Sequence, residues 1–330
     1  MPPYSHRRKQ LEELTNVLLR ESSSLSELRR AATDLHDLLD SISPKLPQVP
    51  SVSLPSGLAL GSSDAAACTK DPLRTAMFLR GLSAAIEESR RRFRSRRIEI
   101  VYAGTGPYAT LAVPLMPRLN PREVRFTLID THTESIASVA CIFRYFGFTR
   151  FARVFMICDA TTYEHPRQIQ LHIAIVETMQ RSLSVEPQVA ISRQLARQLH
   201  PRGIMVPQRV TVDFEFTESP GSALSDRTYR TRVGEVFQLN AANARQFSQR
   251  SRKVTLKAVN VPPNAIGMYT THIQTYGRHT LAPGESGLTQ PEIIWPLIDL
   301  QSGERIEFTY AFGTNPGIRF ERKRPKNAAG

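Results

Sequence analysis

The chain has 330 residues, 41% apolar and 22% charged, enough for a full core and about two domains of ordinary size. Its net charge of +13 favours anionic partners, while its apolar runs are too short for a membrane helix. An N-terminus without an apolar stretch argues against a secretory signal, and the three scattered cysteines (Cys68, Cys141, Cys158) form neither a disulfide framework nor a zinc spacing, so a reducing cytoplasm is expected.

Residues 1–43 read as two amphipathic helices. Leu11, Leu14 and Leu18, then Leu25, Leu28, Ala32, Leu35 and Leu39, recur every three or four residues, and Ser24 with Glu27 forms a capping box. Prolines and serines over 44–70 indicate a linker or an extended wrap. A third helix runs from Asp71, its N-cap, with Pro72 in the first turn, to about Arg92. It ends in the basic run Ser89–Arg97, which suits either a polyanion footprint or a solvated helix end; without interleaved aromatics the first reading is weak.

From Arg97 the rhythm changes. IEIVYAG, VRFTLID, ARVFMICD and LHIAIVE are short, apolar and β-branched, with helical segments such as TESIASVACIFRYFG between them. Buried strands alternating with helices predict a parallel sheet in an α/β domain spanning 71–207. From 208 to 330 the pattern becomes plain alternation (RVTVDFEF, KVTLKAVNV, MYTTHIQTY, RIEFTYAF), which predicts an antiparallel β-barrel or sandwich.

Three strand ends carry candidate ligand contacts. Gly104-Thr105-Gly106 closes the first strand, where glycines permit close approach to a ligand or simply a tight turn. Asp130 closes the second strand, placed for two ribose hydroxyls, and Asp159 follows the third, placed for an adenine amine; both also suit helix capping. The incomplete glycine motif fits S-adenosylmethionine better than a dinucleotide. The fourth strand, Ile173–Val176, ends on Glu177, and Glu186 follows nine residues later. Their bland readings are a capped strand end and a solvated helix N-terminus.

Four motifs in order resemble the protein arginine methyltransferases: DPLRT at Asp71–Thr75, AGTGP at the glycine loop, the Glu177/Glu186 pair, and TTHIQ at Thr270–Gln274. The resemblance covers roughly residues 70–320. It implies a Rossmann-like class I methyltransferase domain followed by a β-barrel substrate domain, with the N-terminal helices outside the likeness. It implies S-adenosylmethionine as cofactor, its carboxylate gripped by Arg74, and a substrate guanidinium clamped by Glu177 and Glu186. It places His272 at the family's barrel histidine, with a catalytic role in hydrogen-bonding an acid near the site and helping to remove the proton; a satisfied interface histidine is the other reading. Ile100 stands where the family's first strand carries an acid, Ile273 replaces a tryptophan, and the stretch from Arg209 to His272 is short for a dimerisation arm. Within the family the chain looks most like the branch that methylates free L-arginine in streptozotocin biosynthesis. The expected partner is therefore a small molecule, not nucleic acid or membrane, with a homodimer formed through the N-terminal helices. A peptide arginine methyltransferase, a nucleic-acid methyltransferase and a non-catalytic binding protein are the alternatives.

Overall fold

The computed structural model of the protein describes residues 3–44, 49–94, 96–217, 230–247, 253–259, 261, 265–298 and 301–323. Residues 45–48 of the expected linker, Ser95 of the basic run, and 218–229 and 324–330 of the expected barrel lie outside the described residues.

The two N-terminal helices form as the periodicity predicts: α1 (Pro3–Leu19) and α2 (Leu25–Asp40), the second opened by the Ser24/Glu27 capping box. Leu11, Leu18, Leu28, Leu35 and Leu39 are buried, because the hairpin packs on the domain that follows. Polar bonds fix its position. Thr15 Oγ1 donates to Pro114 O at 3.1 Å, and Arg80 donates to Leu18 O and Arg20 O at 2.9 and 2.7 Å. The apolar stripe expected to serve a dimer is thus largely covered within the chain. No described helix is long and apolar enough to cross a membrane.

The Pro/Ser-rich stretch is more structured than its composition suggests. It folds into an antiparallel hairpin, β1 (Val52–Leu54) and β2 (Gly57–Ala59), and a short helix, α3 (Ser62–Ala67). Gly57 has φ +138°, and a Cβ there would stand 2.6 Å from Val185 O, so only glycine allows the hairpin to lie against that segment. Helix α4 (Pro72–Arg92) begins with Asp71 accepting from Arg74 N at 3.0 Å, as the sequence predicts.

Five parallel strands follow in the order β5-β4-β3-β6-β7. They are β3 (Ile98–Ala103), β4 (Val124–Asp130), β5 (Ala152–Ile157), β6 (Leu171–Val176) and β7 (Leu199–Val206), joined in part by α5 (Thr133–Phe146) and α6 (Gln188–Gln198). Both β3 and β6 are buried at every position, which is why they read as continuous apolar runs. Strand β7 is absent from the sequence reading because Pro201 and Gly203 interrupt its pattern. The chain builds outward from β3 on one side, then returns to add β6 on the other. Ala103 consequently sits opposite both Ile129 and Val176 in register. The residues just past these strand ends converge at the point where the strand order reverses.

The C-terminal half is antiparallel. Strands β8 (Arg209–Thr217), β9 (Thr231–Asn240), β11 (Ile266–Tyr276) and β12 (His279–Leu281) make one sheet, with β13 (Glu292–Ile298) also paired to β11. Strands β10 (Val254–Lys257), β14 (Arg305–Ala311) and β15 (Gly317–Lys323) make the other. A short helix, α7 (Ala241–Gln246), lies between β9 and β10. Alternating inward residues close a barrel-like core, with Phe214 on Phe308 at 5.1 Å and Phe237 on Tyr310 at 4.6 Å. Thr275 of β11 donates to Met77 O of α4 at 2.8 Å, tying the barrel to the α/β domain.

Candidate active site

Past the C-terminal edge of the parallel sheet lies a cavity with about 920 Å³ of space between atoms, part of it open to solvent. Arg74, Gly104, Thr105, Gly106, Asp130, Asp159, Glu177 and Glu186 all line it. Four strand ends and the start of α4 bring these residues together from five separate segments.

The glycine loop is built by close approach. Gly104 has φ +74°, and a Cβ there would stand 2.1 Å from Thr178 Cγ2. Gly104→Ala therefore forces a left-handed alanine, costing about 1–2 kcal/mol, and displaces Thr178 as well. The expected result is a melting temperature several degrees lower; an unchanged melt would contradict the reading. Asp130 locks the loop, with Oδ2 accepting from Gly106 N and Oδ1 from His132 N, both at 2.9 Å. Burial raises its pKa, against the pull of those amides. Asp159 lies two residues beyond β5 and accepts from Thr161 N and Oγ1 at 2.8 and 2.7 Å, so it caps a turn while also facing the cavity.

Glu177 immediately follows β6, as the apolar run predicts, and its Oε1 accepts from Arg74 Nε at 2.5 Å. The two side chains are only 14% and 11% exposed, and the guanidinium pKa is raised: burial alone would lower it, but Glu177 more than offsets this. Glu186 is buried in the same cavity, and its pKa is pushed up to about 7, first by burial and further by Glu177, with Arg74 opposing. Arg74 balances Glu177 at this corner of the cavity, so negative charge there grows as Glu186 ionises near pH 7.

The segment between the two glutamates is strained. Ser182, Leu183 and Val185 have φ of 56°, 55° and 65°, values that cost on the order of 1–3 kcal/mol each for non-glycine residues. Contacts from distant parts of the chain hold them there. Ser182 N donates to Thr271 Oγ1, Tyr310 Oη to Leu183 O and Val185 N to Pro316 O, each at 2.9 Å. The β1–β2 hairpin adds Leu58 N to Val185 O at 2.8 Å.

His272 is the one predicted site residue the structure does not bring to the cavity. It lies exposed on β11, opposite Thr211, because alternation along the strand turns it outward. Its neighbour Thr271 points inward and holds the carboxylate loop instead. The barrel also meets the start of α4 through Gly287, whose N–H donates to Asp71 Oδ2 at 2.9 Å. Ile100, expected to matter by its lack of charge, does not line the cavity; Tyr102 of β3 does. The sequence reading missed Leu54, Leu58, Leu60 and Cys68, which roof the cavity from the linker. The leucines flanking Pro55-Ser56-Gly57 were the available signal for a buried hairpin. The Cys68 thiol pKa is raised by burial.

No family model and no curated protein matches the chain. Among solved structures, the Trypanosoma brucei PRMT1 enzyme–prozyme heterotetrameric complex with AdoHcy (S-adenosylhomocysteine) aligns with 78% of this chain and 96% of that one. The TM-score is 0.52 at 11% identity. The fold is that of the arginine methyltransferases. The likeness carries architecture: a parallel-sheet domain with flanking helices followed by antiparallel sheets, as the chain order predicts. The role of each side chain rests on the cavity itself.

Proposed function

We propose that the protein transfers a methyl group from S-adenosylmethionine to a terminal guanidino nitrogen of arginine. The observation that carries this is the convergence of Glu177, Glu186 and Arg74 in one buried cavity beside a glycine loop and Asp130. The cavity suits the cofactor. Thr105 Oγ1 and His132 Nε2 belong to lining residues, are buried, and have no hydrogen-bond partner among the described residues. Buried polar groups of this kind call for a polar ligand. In this reading Asp130 takes the ribose hydroxyls and Asp159 the adenine amine. Arg74, which spends its Nε on Glu177, offers its terminal nitrogens to the methionine carboxylate.

Bound there, S-adenosylmethionine supplies an electrophilic methyl group on a sulfonium cation. The protein's task is to bring a second cation beside it. At 4 Å and an effective dielectric near 20, two unit charges repel by about 4 kcal/mol. Glu177 and Glu186 offset that repulsion and accept the guanidinium N–H groups. They aim one terminal nitrogen at the methyl carbon while drawing positive charge toward the others. The attacking nitrogen sheds one proton as its new bond forms. With its pKa near 7, Glu186 is matched to take that proton and pass it to water. His272, exposed on β11, has no part in this scheme.

The acceptor in this proposal is free L-arginine, in natural-product biosynthesis of the streptozotocin kind that the sequence resembles. Both carboxylates lie largely buried, beside a cavity roofed by residues of the linker, an enclosure suited to a small solute. A surface of +13 also repels arginine-rich polycationic tails at long range. Mass spectrometry of the protein incubated with S-adenosylmethionine and L-arginine tests the proposal. The expected product is one methyl heavier, with fragmentation placing the methyl on the guanidine. Methylation of arginine peptides but not of L-arginine would move the acceptor to protein; no transfer to any guanidinium would overturn the activity.

A further inference from the structure

Helix α2 ends in a way that its own stability does not explain. Asp40 is its last residue and no basic residue stands in its last turn, so a negative charge sits at the negative end of the helix dipole. The partner that accounts for it lies in the glycine loop: Tyr108 Oη donates to Asp40 Oδ1 at 2.7 Å. The Tyr108 ring is fully buried, and His36 of the same helix meets it edge-on with centroids 5.5 Å apart. A second connection arrives three residues later. Ser43 Oγ and Ser138 Oγ are 2.6 Å apart, and Ser138 Oγ lies 2.6 Å from Pro107 O. Ser138 has a single hydroxyl proton, and a carbonyl can only accept. Ser138 therefore donates to Pro107 and receives from Ser43.

Two hydrogen-bond paths from Asp40–Ser43 thus end on Pro107 and Tyr108, the two residues immediately after Gly106. The next residue, Ala109, is a non-glycine at φ 44°, a conformation that neighbouring structure must enforce. Gly104, Thr105 and Gly106 form the cavity wall on one side of this anchor. We infer that the end of α2 positions the cofactor loop, with Asp40 and Ser43 acting through Tyr108 and Ser138 to hold the wall against which the adenosine half binds. These are positioning residues. They act on the fraction of molecules whose loop is competent to bind, and affinity scales with that fraction. The N-terminal helices, which precede the motifs that resemble the methyltransferases, thereby belong to the cofactor site. This inference rests on the proposed use of S-adenosylmethionine.

Calorimetric binding of S-adenosylhomocysteine to the full-length protein tests it. Tyr108→Phe keeps the ring and removes one hydroxyl, and roughly tenfold weaker binding is expected, with Ser138→Ala acting in the same direction. At saturating cofactor, kcat and the KM for the guanidinium substrate are expected to match those of the wild type. Asp40→Ala should reproduce Tyr108→Phe, whereas Asp40→Asn, which keeps the acceptor oxygen, should bind within roughly threefold of the wild type. If Tyr108→Phe and Asp40→Ala melt earlier but bind as tightly as the wild type, the contacts are structural and the inference fails while the proposed function stands. If the wild type does not bind S-adenosylhomocysteine, the proposed function fails and this inference with it.

Discussion

Replacing Glu177 by glutamine is expected to lower kcat for a guanidinium substrate by at least about a thousandfold while leaving S-adenosylhomocysteine binding intact. The magnitude follows from charge. In the proposed reaction the carboxylate offsets a cation–cation repulsion of about 4 kcal/mol, worth roughly a factor of a thousand in rate. Glutamine keeps the shape and one acceptor oxygen but not the charge. The sparing of the cofactor follows from the ion pair. Arg74 Nε is held by Glu177 at 2.5 Å, so neutralising Glu177 frees the guanidinium for a cofactor carboxylate instead of weakening it. Cofactor affinity should therefore be equal or higher. Loss of one negative neighbour should also lower the pKa of Glu186, since the attraction to Arg74 remains. Single-turnover kinetics with saturating cofactor, paired with calorimetry, checks both halves. Turnover within tenfold of the wild type would remove Glu177 from the clamp.

The second large effect is on pH. Glu186 has a pKa near 7 in the folded chain against an ordinary 4.5. Between these values the native state holds a proton that the unfolded chain has released. Stability attributable to this residue is consequently highest below pH 4.5 and falls as pH rises toward 7. The difference corresponds to about 3 kcal/mol at most. Glu186→Gln carries no such proton, so its melting temperature should equal that of the wild type near pH 4.5 and exceed it by several degrees at pH 8. Catalysis should run the other way. Clamping a guanidinium needs the ionised carboxylate, so wild-type kcat/KM for the acceptor, measured at subsaturating cofactor, should fall about tenfold per pH unit below 7. Glu186→Gln should be nearly inactive and should lack that slope. A wild-type profile flat from pH 5.5 to 8 would show that Glu186 is already ionised in the free protein. The site would then hold its second carboxylate at lower cost than its burial implies.

These two effects come from one arrangement, in which function is obtained by burying charge that folding alone would avoid. Glu177 is satisfied by Arg74, whereas Glu186 lies buried beside a like charge at the end of a strained segment. Under the proposed function such a residue serves what it binds, and the stability gain expected from Glu186→Gln at high pH is the corresponding signature.

Much of this was legible in the residues. The helix caps at Ser24 and Asp71 are local hydrogen-bonding choices, and both appear where the sequence places them. Strands β3 and β6 were readable because burial on both faces demands uninterrupted apolar side chains. Glu177, Asp130 and the glycine loop then followed from strand ends in a parallel sheet. Strand β7 was hidden by Pro201 and Gly203, since its pairing with β6 is a non-local fact. The cavity roof was hidden because its hairpin is stable only against Val185, more than a hundred residues away.

What the sequence determined by itself was the α/β-then-β architecture and the residues that flank each strand end, because period and polarity are local properties. Tertiary structure decided which side chains face one another. It turned Thr271 inward and His272 outward, a one-residue distinction that strand alternation makes absolute once β11 is paired. It also bent Ser182, Leu183 and Val185 into left-handed conformations that no local preference supports, held by Thr271, Tyr310, Pro316 and Leu58. That bend returns Glu186 to Glu177. The spacing of the two glutamates was written in the chain, but their meeting depends on contacts from the barrel and the N-terminal hairpin, because only long-range hydrogen bonds can offset the backbone strain.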